Sequence, residues 1–419
     1  MKYWYLWLAL CLSATVQAAV ESVVTADGTE IGVTTHPASG DRLVIWLPSE
    51  AGPQAVDAAI ATGLSKAGVE VWRVDLVEAR FLPVVTSSMD RLPAGDVAAV
   101  LRAAAQHSPK RLFIVTTGRG AIPVLRGVRQ WQQTAADSTR LGGVVLMSPK
   151  FFVATPDPGT AAELMPIVSA SNVPLYLLQP DQSPWYWKLQ TTLAALEHGG
   201  SDVYVRVLHG VRDRFYFRPD ATAAEDALRA EVPKLLATAL RALEAVPSGR
   251  RAAVPLQQAS PAVREGKRQR ALSPYRGDPR PPPLALRDLA GRAVSLADYQ
   301  GRVVLVNFWA SWCPPCVHEM PSMERLAQRL AGTPFVILGV NMAESPASVR
   351  GFLAARVGVS FPILLDSDGA ALKRWQVFAF PTSFVIDKKG KIRYALFGAT
   401  EWDDAAVVEK LRALLGEVD

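Results

Sequence analysis

The most reactive side chains in this sequence are Cys313 and Cys316, which lie in the stretch NFWASWCPPCVHEMP, residues 307–321. Two intervening residues let the sulfurs bond to each other with little backbone movement. The apolar run 303–308 predicts a strand, and Pro314 and Pro315 predict a helix opening directly after Cys313, because proline is suited to the first helical positions. Cys313 then occupies the tip of a helix, where unsatisfied N–H groups and the helix dipole favour an anion. The reactive form of cysteine is the thiolate, and a thiol that titrates near ~8.5 when free falls to ~3.5–7.5 in such a setting. At about 1.36 kcal/mol per unit, the shift favours the thiolate by roughly 1.4 to 5 kcal/mol. Cys313 is the expected attacking sulfur, and Cys316, one turn deeper, the resolving one.

The elements that must position this pair belong to the last third of the chain, residues 284–419. Strands are predicted over 303–308 and 335–340, a hairpin over 382–386 and 392–397, and helices over 314–330, 346–355 and 403–415. Residues 20–246 form a separate α/β unit. Its apolar runs 43–47, 69–75, 111–116, 143–147, 174–179 and 203–208 are continuous in Val, Ile and Leu, as expected for parallel strands buried on both faces. Amphipathic stretches at 55–66, 95–106 and 185–198 predict helices between them. Two domains suit a chain of 419 residues, since single cores rarely grow beyond ~250–300. Residues 247–283 are rich in Arg, Pro, Ser and Gln and poor in large apolar side chains, which predicts a linker with a stiff proline-rich end. Much of the formal charge of +6 falls in this segment. The basic balance therefore does not argue for nucleic acid, and no basic motif interleaved with aromatics supports it.

Residues 1–19 read as a cleaved export signal, with Lys2 ahead of an apolar core and Val16, Gln17 and Ala18 at the cleavage site. An uncleaved anchor is the alternative, although the apolar run is shorter than the ~20 residues that span a bilayer. Cys11 falls inside this leader. Leu10 stands where a lipoprotein signal carries a small residue, so Cys11 is read as discarded. Export to the periplasm leaves the mature chain one closely spaced cysteine pair in an oxidising compartment. That favours redox chemistry over structural stapling.

The segments VVLVNFWASWCPPC and AFPTSFVID, in this order, resemble the TlpA/ResA type of thioredoxin-like proteins over residues 284–419. The resemblance implies a thioredoxin fold and a disulfide reductase working outside the cytoplasm on exported proteins, cytochrome c maturation included. It implies a membrane electron donor of DsbD or CcdA type, and no cofactor is expected. It also implies that Cys313 is the nucleophile, Cys316 the resolving thiol, and Pro381 a cis-proline abutting the disulfide. Trp312 packs beside the motif. Glu319 matches the acidic residue of that pattern and is expected to tune the cysteines and handle the proton of Cys316, while Asn307 stands where thioredoxin has a buried acid. A thiol oxidase or isomerase is an alternative, as is a Cu(I)-delivery protein, since soft thiolates bind Cu(I). The spacing of the cysteines and His318 does not suit a metal site, and none is expected.

Residues 20–246 resemble an α/β-hydrolase, with a distant likeness to the VirJ type of exported protein. Active hydrolases carry a serine in a G-x-S-x-G turn between strand and helix. Here the turn reads Thr116-Thr117-Gly118-Arg119-Gly120, and glycine takes the nucleophile's place. Asp181 suits the acid. The base position falls on Asp213 in one register and on His209 in another. Ser148, which lacks an elbow, is a poor substitute nucleophile. The domain is expected not to be an active hydrolase, and to bind a partner or position the redox domain.

Overall fold

The computed structural model describes residues 20–134, 139–247, 251–256 and 272–417; the expected export signal at 1–19 lies outside them. In the N-terminal domain the strands are β1 (Val20–Val24), β2 (Glu30–His36), β3 (Arg42–Leu47) and β4 (Val69–Val74), followed by β5 (Arg111–Thr117), β6 (Leu141–Met147), β7 (Leu175–Gln182) and β8 (Val203–Arg212). Its helices are α1 (Ala55–Lys66), α2 (Leu76–Ala79), α3 (Thr86–Arg91), α4 (Ala94–His107), α5 (Ala121–Thr134), α6 (Leu189–His198) and α7 (Ala223–Glu244).

Strand order is β1-β2-β4-β3-β5-β6-β7-β8. The expectation of parallel strands holds from β4 to β8, but β1, β2 and β4 pair antiparallel, so the sheet is mixed. The two-sided burial inferred from continuous apolar runs is visible residue by residue. Leu43, Ile45, Leu112 and Ile114 face one core together with Val97 of α4 and Ile122 and Trp131 of α5. Val44, Trp46, Phe113 and Val115 face the other, with Ile60 of α1 and Val232, Leu236 and Leu240 of α7. The helix expected over 185–198 is a short 3-10 turn, Tyr186–Lys188, followed by α6.

The C-terminal domain contains β9 (Ser273–Pro274), β10 (Ala285–Asp288), β11 (Ala293–Ser295), β12 (Val303–Trp309), β13 (Phe335–Met342), β14 (Ile363–Asp366), β15 (Thr382–Ile386) and β16 (Ile392–Phe397). Its helices are α8 (Pro314–Arg329), α9 (Pro346–Arg356), α10 (Ala370–Arg374) and α11 (Ala405–Gly416). Strand order is β11-β10-β14-β13-β12-β15-β16-β9. Central β12 runs parallel to β13 and antiparallel to β15. Packing of α8 and α11 on one face buries Met320, Met323, Leu326, Val408 and Leu411 together with both cysteines.

The segment read as a linker over 247–283 is shorter than expected. Residues 251–256 lie along the N-terminal domain, where Arg129 Nε donates to the Val254 carbonyl at 2.8 Å and Arg251 donates to the Asn172 carbonyl at 2.7 Å. From Leu272 onward the chain belongs to the C-terminal domain: β9 adds an edge strand to β16, and Leu272 is 2% exposed in the same core as the cysteines. Composition hid this because only a leucine and a tyrosine, Leu272 and Tyr275, among polar and proline residues carry the side-chain contact. Leu272→Ala is expected to destabilise the C-terminal domain by roughly 2–5 kcal/mol, the cost of truncating a buried leucine. Leu256→Ala, at a position 45% exposed, should change stability by less than about 0.5 kcal/mol. Urea unfolding of the full chain checks both.

Candidate functional site

Strand β12 ends at Trp309, and the chain turns through Ala310, Ser311 and Trp312 to place Cys313 as the N-cap of α8. Pro314 and Pro315 occupy the first helical positions, where no intrahelical N–H is lost. The Cys316 backbone N–H donates to Cys313 Sγ at 3.3 Å. This is the interaction by which a helix start stabilises a thiolate. The two cysteines are joined as a disulfide, with Cys313 5% exposed and Cys316 fully buried. Cys313 is thus the sulfur nearer solvent.

Glu319 follows Cys316 by three positions, so the two share a helix face, and its side chain is fully buried. One carboxylate oxygen accepts from Asn307 Nδ2 at 2.8 Å. The other accepts from Trp402 Nε1 at 3.1 Å and the Thr400 N–H at 3.4 Å. Burial pushes the carboxyl up to about 7, and the hydrogen bonds from Asn307, Trp402 and Thr400 only partly oppose it. The same Asn307 amide also donates to Ser383 Oγ at 2.9 Å, which ties the acid to β15.

The peptide bond Phe380–Pro381 is cis. Thr382, the next residue, pairs with Phe308 near the end of β12, so the cis-proline loop lies at the sheet end that delivers the cysteine motif. Trp312 meets Phe380 edge-on, with ring centroids 5.6 Å apart. Both rings pack against the cluster that contains the two cysteines. Sequence reasoning missed Glu344. Its carboxylate accepts from the Ser311 N–H at 2.7 Å, from the Ser311 hydroxyl and from Asn341 Nδ2 at 2.7 Å, which fastens the turn that carries Cys313. Nothing short of the fold brings Glu344 and Ser311 together. His318 points away, with its side chain 79% exposed beside Glu401. Among the described residues no cluster of three or more histidines, cysteines or carboxylates is placed to hold a metal ion.

In the N-terminal domain β5 ends in a turn at Gly118, φ +58°, just before α5. The side chain of Glu50 occupies the space in front of it, and any Cβ at residue 118 would collide with that carboxylate. Burial opposes ionisation of Glu50. The charge and hydrogen bond of Lys150, the Arg119 N–H and the charge of Arg214 outweigh it and hold the carboxyl down at about 2. His209 Nδ1 lies 3.0 Å from Asp181 Oδ2, and Asp181 also accepts the Gly210 N–H at 2.9 Å. Of the two registers considered for the base, the one with His209 is therefore paired to the acid. His209 is nevertheless 80% exposed. Ser148 directly follows β6, with φ +47°, and its N–H is held by the Leu178 carbonyl.

A cysteine pair at a helix start, a buried acid on the same helix face and a cis-proline at the same end of the sheet define a thioredoxin-like thiol–disulfide oxidoreductase domain. The AhpC/TSA family model matches residues 278–395, within the C-terminal domain. Thiol-disulfide oxidoreductase ResA of Geobacillus thermodenitrificans is 40% identical over 123 residues, which cover 29% of this chain and 70% of that protein. ResA of Bacillus subtilis is 36% identical over 111 residues, 26% of this chain and 62% of that protein. A thioredoxin-family thiol:disulfide interchange protein of solved structure from Chlorobium tepidum is 25% identical and covers 34% of this chain and all of its own, with a TM-score of 0.30. Through its C-terminal domain the chain belongs to the ResA-type thiol–disulfide oxidoreductases.

The Glu319 carboxyl has a consequence for stability. Its folded-state value of about 7 lies above the ordinary 4.5, so between these pH values the native protein holds a proton that the unfolded chain has released. Stability falls as pH rises through that window. In the disulfide form, where the cysteines do not titrate, Glu319→Gln should remove up to ~3 kcal/mol of the decline between about pH 5 and pH 8. Urea titrations of both proteins at the two pH values measure it. An identical decline in the variant would mean that Glu319 is ionised in the folded protein throughout.

Proposed function

We propose that this protein is an exported reductase that opens disulfides of extracytoplasmic proteins, among them the haem-binding cysteine pairs of c-type apocytochromes. The observation that carries the proposal is the buried acid beneath the helix-capping pair: Cys313 near solvent, Cys316 and Glu319 sealed below it. Reduced Cys313 attacks a substrate disulfide as thiolate, forming a mixed disulfide and releasing one substrate thiolate. Cys316 then gives its proton to Glu319, and its sulfur attacks Cys313 Sγ. The second substrate thiolate leaves, and Cys313 and Cys316 remain as a disulfide. Glu319 suits the step because its value near 7 lets it take and return a proton at neutral pH. Two electrons from a membrane dithiol donor of DsbD or CcdA type restore the reduced pair. Export to the periplasm is supported by the leader-like residues 1–19, and no helix among the described residues is long and apolar enough to cross a membrane.

The N-terminal domain is hydrolase-like in layout and serves the redox domain rather than hydrolysing a substrate of its own. Supporting this reading are the strand–turn–helix at Gly118, the Asp181–His209 pair and the Glu50 carboxylate in the nucleophile's place. A panel of activated esters should show no turnover by the full chain above the Glu50→Ala and His209→Ala variants. A rate lost on removing His209 would establish a working hydrolase site.

The substrate step is tested with Cys316→Ala, which lacks the resolving sulfur. Expressed with its own leader, it should accumulate mixed disulfides through Cys313 to exported proteins, reversible by thiols and absent from Cys313→Ala. If no adducts form and Cys313 titrates like a free thiol, near ~8.5, the reductase reading falls.

A further inference from the structure

The two domains meet at Phe378, three residues before the cis-proline. Its ring lies edge-on to Phe152, centroids 4.9 Å apart, and edge-on to Trp185 at 5.6 Å. Phe152 and Trp185 stack on each other at 5.8 Å. Lys188 Nζ completes the enclosure 5.1 Å from the centre of the Phe378 ring, and Phe378 is left 5% exposed. A second contact lies at the other end of the same segment. Trp187 packs on Gly369, where a Cβ would run into the indole ring. Residues 369–378, which carry α10 and lead into the cis-proline loop, are thus held at both ends by the N-terminal domain.

These contacts rest on a rigid base. Arg119, beside the Gly118 turn, is itself paired with Asp90 at 2.8 and 2.9 Å, and its guanidinium donates to the carbonyls of Phe152 and of Val153. Lys150, two residues before Phe152, is anchored on Glu50. The charged cluster that fills the unused nucleophile site therefore fixes the segment that delivers Phe152. On the other side, Phe380 follows Phe378 by two residues and touches Trp312, the neighbour of Cys313.

We propose that Phe152, Trp185 and Lys188 are positioning residues for the redox reaction, which hold the Phe380–Pro381 loop through Phe378 and so set how tightly a protein disulfide is gripped beside Cys313. The inference rests on the reductase reading, in which Pro381 meets the substrate backbone. Loop placement then enters the binding of extended protein substrates and leaves the intrinsic reactivity of the Cys313 sulfur unchanged. Aromatic edge contacts and a desolvated cation over a ring are directional, so apolar bulk alone does not replace them.

The test uses the full chain, kept reduced by dithiothreitol for turnover of insulin as protein disulfide, and pre-reduced and freed of thiol for a single turnover with a dithiobis(nitrobenzoate) as small disulfide. Phe378→Leu keeps apolar volume and removes the ring, and Lys188→Met keeps the stem and removes the charge. Both should raise KM for insulin roughly tenfold at constant kcat. The rate with the small disulfide and the pH at which Cys313 ionises should not move, and Lys188→Arg should restore KM. Should Phe378→Leu fail to fold, Lys188→Met carries the test alone. An unchanged KM for insulin in Lys188→Met, or equal losses with both disulfides, overturns the proposal. Wild-type protein inert toward both disulfides would instead sink the reductase reading itself.

Discussion

A sulfur that caps a helix imposes two requirements at once, and the C-terminal domain is arranged to meet both. The chain must leave β12 and start α8 within a few residues, so that the Cys316 N–H faces Cys313 Sγ. The rest of the helix must then seat its apolar face on the sheet, or its first turn would fray and its N–H groups turn to water. Met320, Met323 and Leu326 supply that seat, and Glu344 holds the turn ahead of it through Ser311. The bond from the Cys316 N–H to Cys313 Sγ is also the bond that begins the helix, so the placement of the sulfur and the start of the helix cannot be separated at this point.

Glu319 is the opposite kind of feature, a group the fold tolerates at a cost. An ionised carboxylate with no water around it needs compensating donors. It has the Asn307 amide, the Trp402 indole and the Thr400 N–H, all neutral. Neutral donors offset only part of the lost hydration, which is why burial still pushes the group up to about 7. An arginine in place of any one of them would hold the carboxylate ionised. Asn307, where thioredoxin carries an acid, fits this logic. It orients Glu319 without titrating, and by bonding Ser383 as well it registers the acid against the strand that follows the cis-proline.

What the sequence disclosed and what it hid divide along the range of the interactions. Local pattern was enough for α1, whose bounds 55–66 match the expectation, for β15 and β16, and for the helix opening at Pro314. The cysteine pair was legible because its chemistry is written in four consecutive positions, Cys313 to Cys316, of one turn. Strands β1 and β2 were not read, since their alternating, half-exposed pattern differs from the continuous apolar runs of the buried strands. Helix α7 escaped although Thr222 and Glu225 form a capping box at its start, a signal that could have found it. Glu344, the Glu50 cluster and the enclosure of Phe378 join residues from 33 to more than 200 positions apart, and no local window contains them.

In the N-terminal domain the strand–turn–helix at Gly118 is filled by a charged side chain from another segment. A glycine at φ +58° leaves a space that water or a side chain must fill, and Glu50 fills it. A buried carboxylate there requires cations, and Lys150 and Arg214 are drawn onto it. Ion networks of this kind add little net stability, because desolvation consumes most of the attraction. What they do fix is geometry: each charge accepts only a few positions for its partner. Lys150 and Arg119 lie on either side of the carboxylate and both act on the segment that ends in Phe152. The Gly118 turn and its ion network thereby hold the segment that ends in Phe152, and Phe152 is the ring that meets Phe378 of the C-terminal domain.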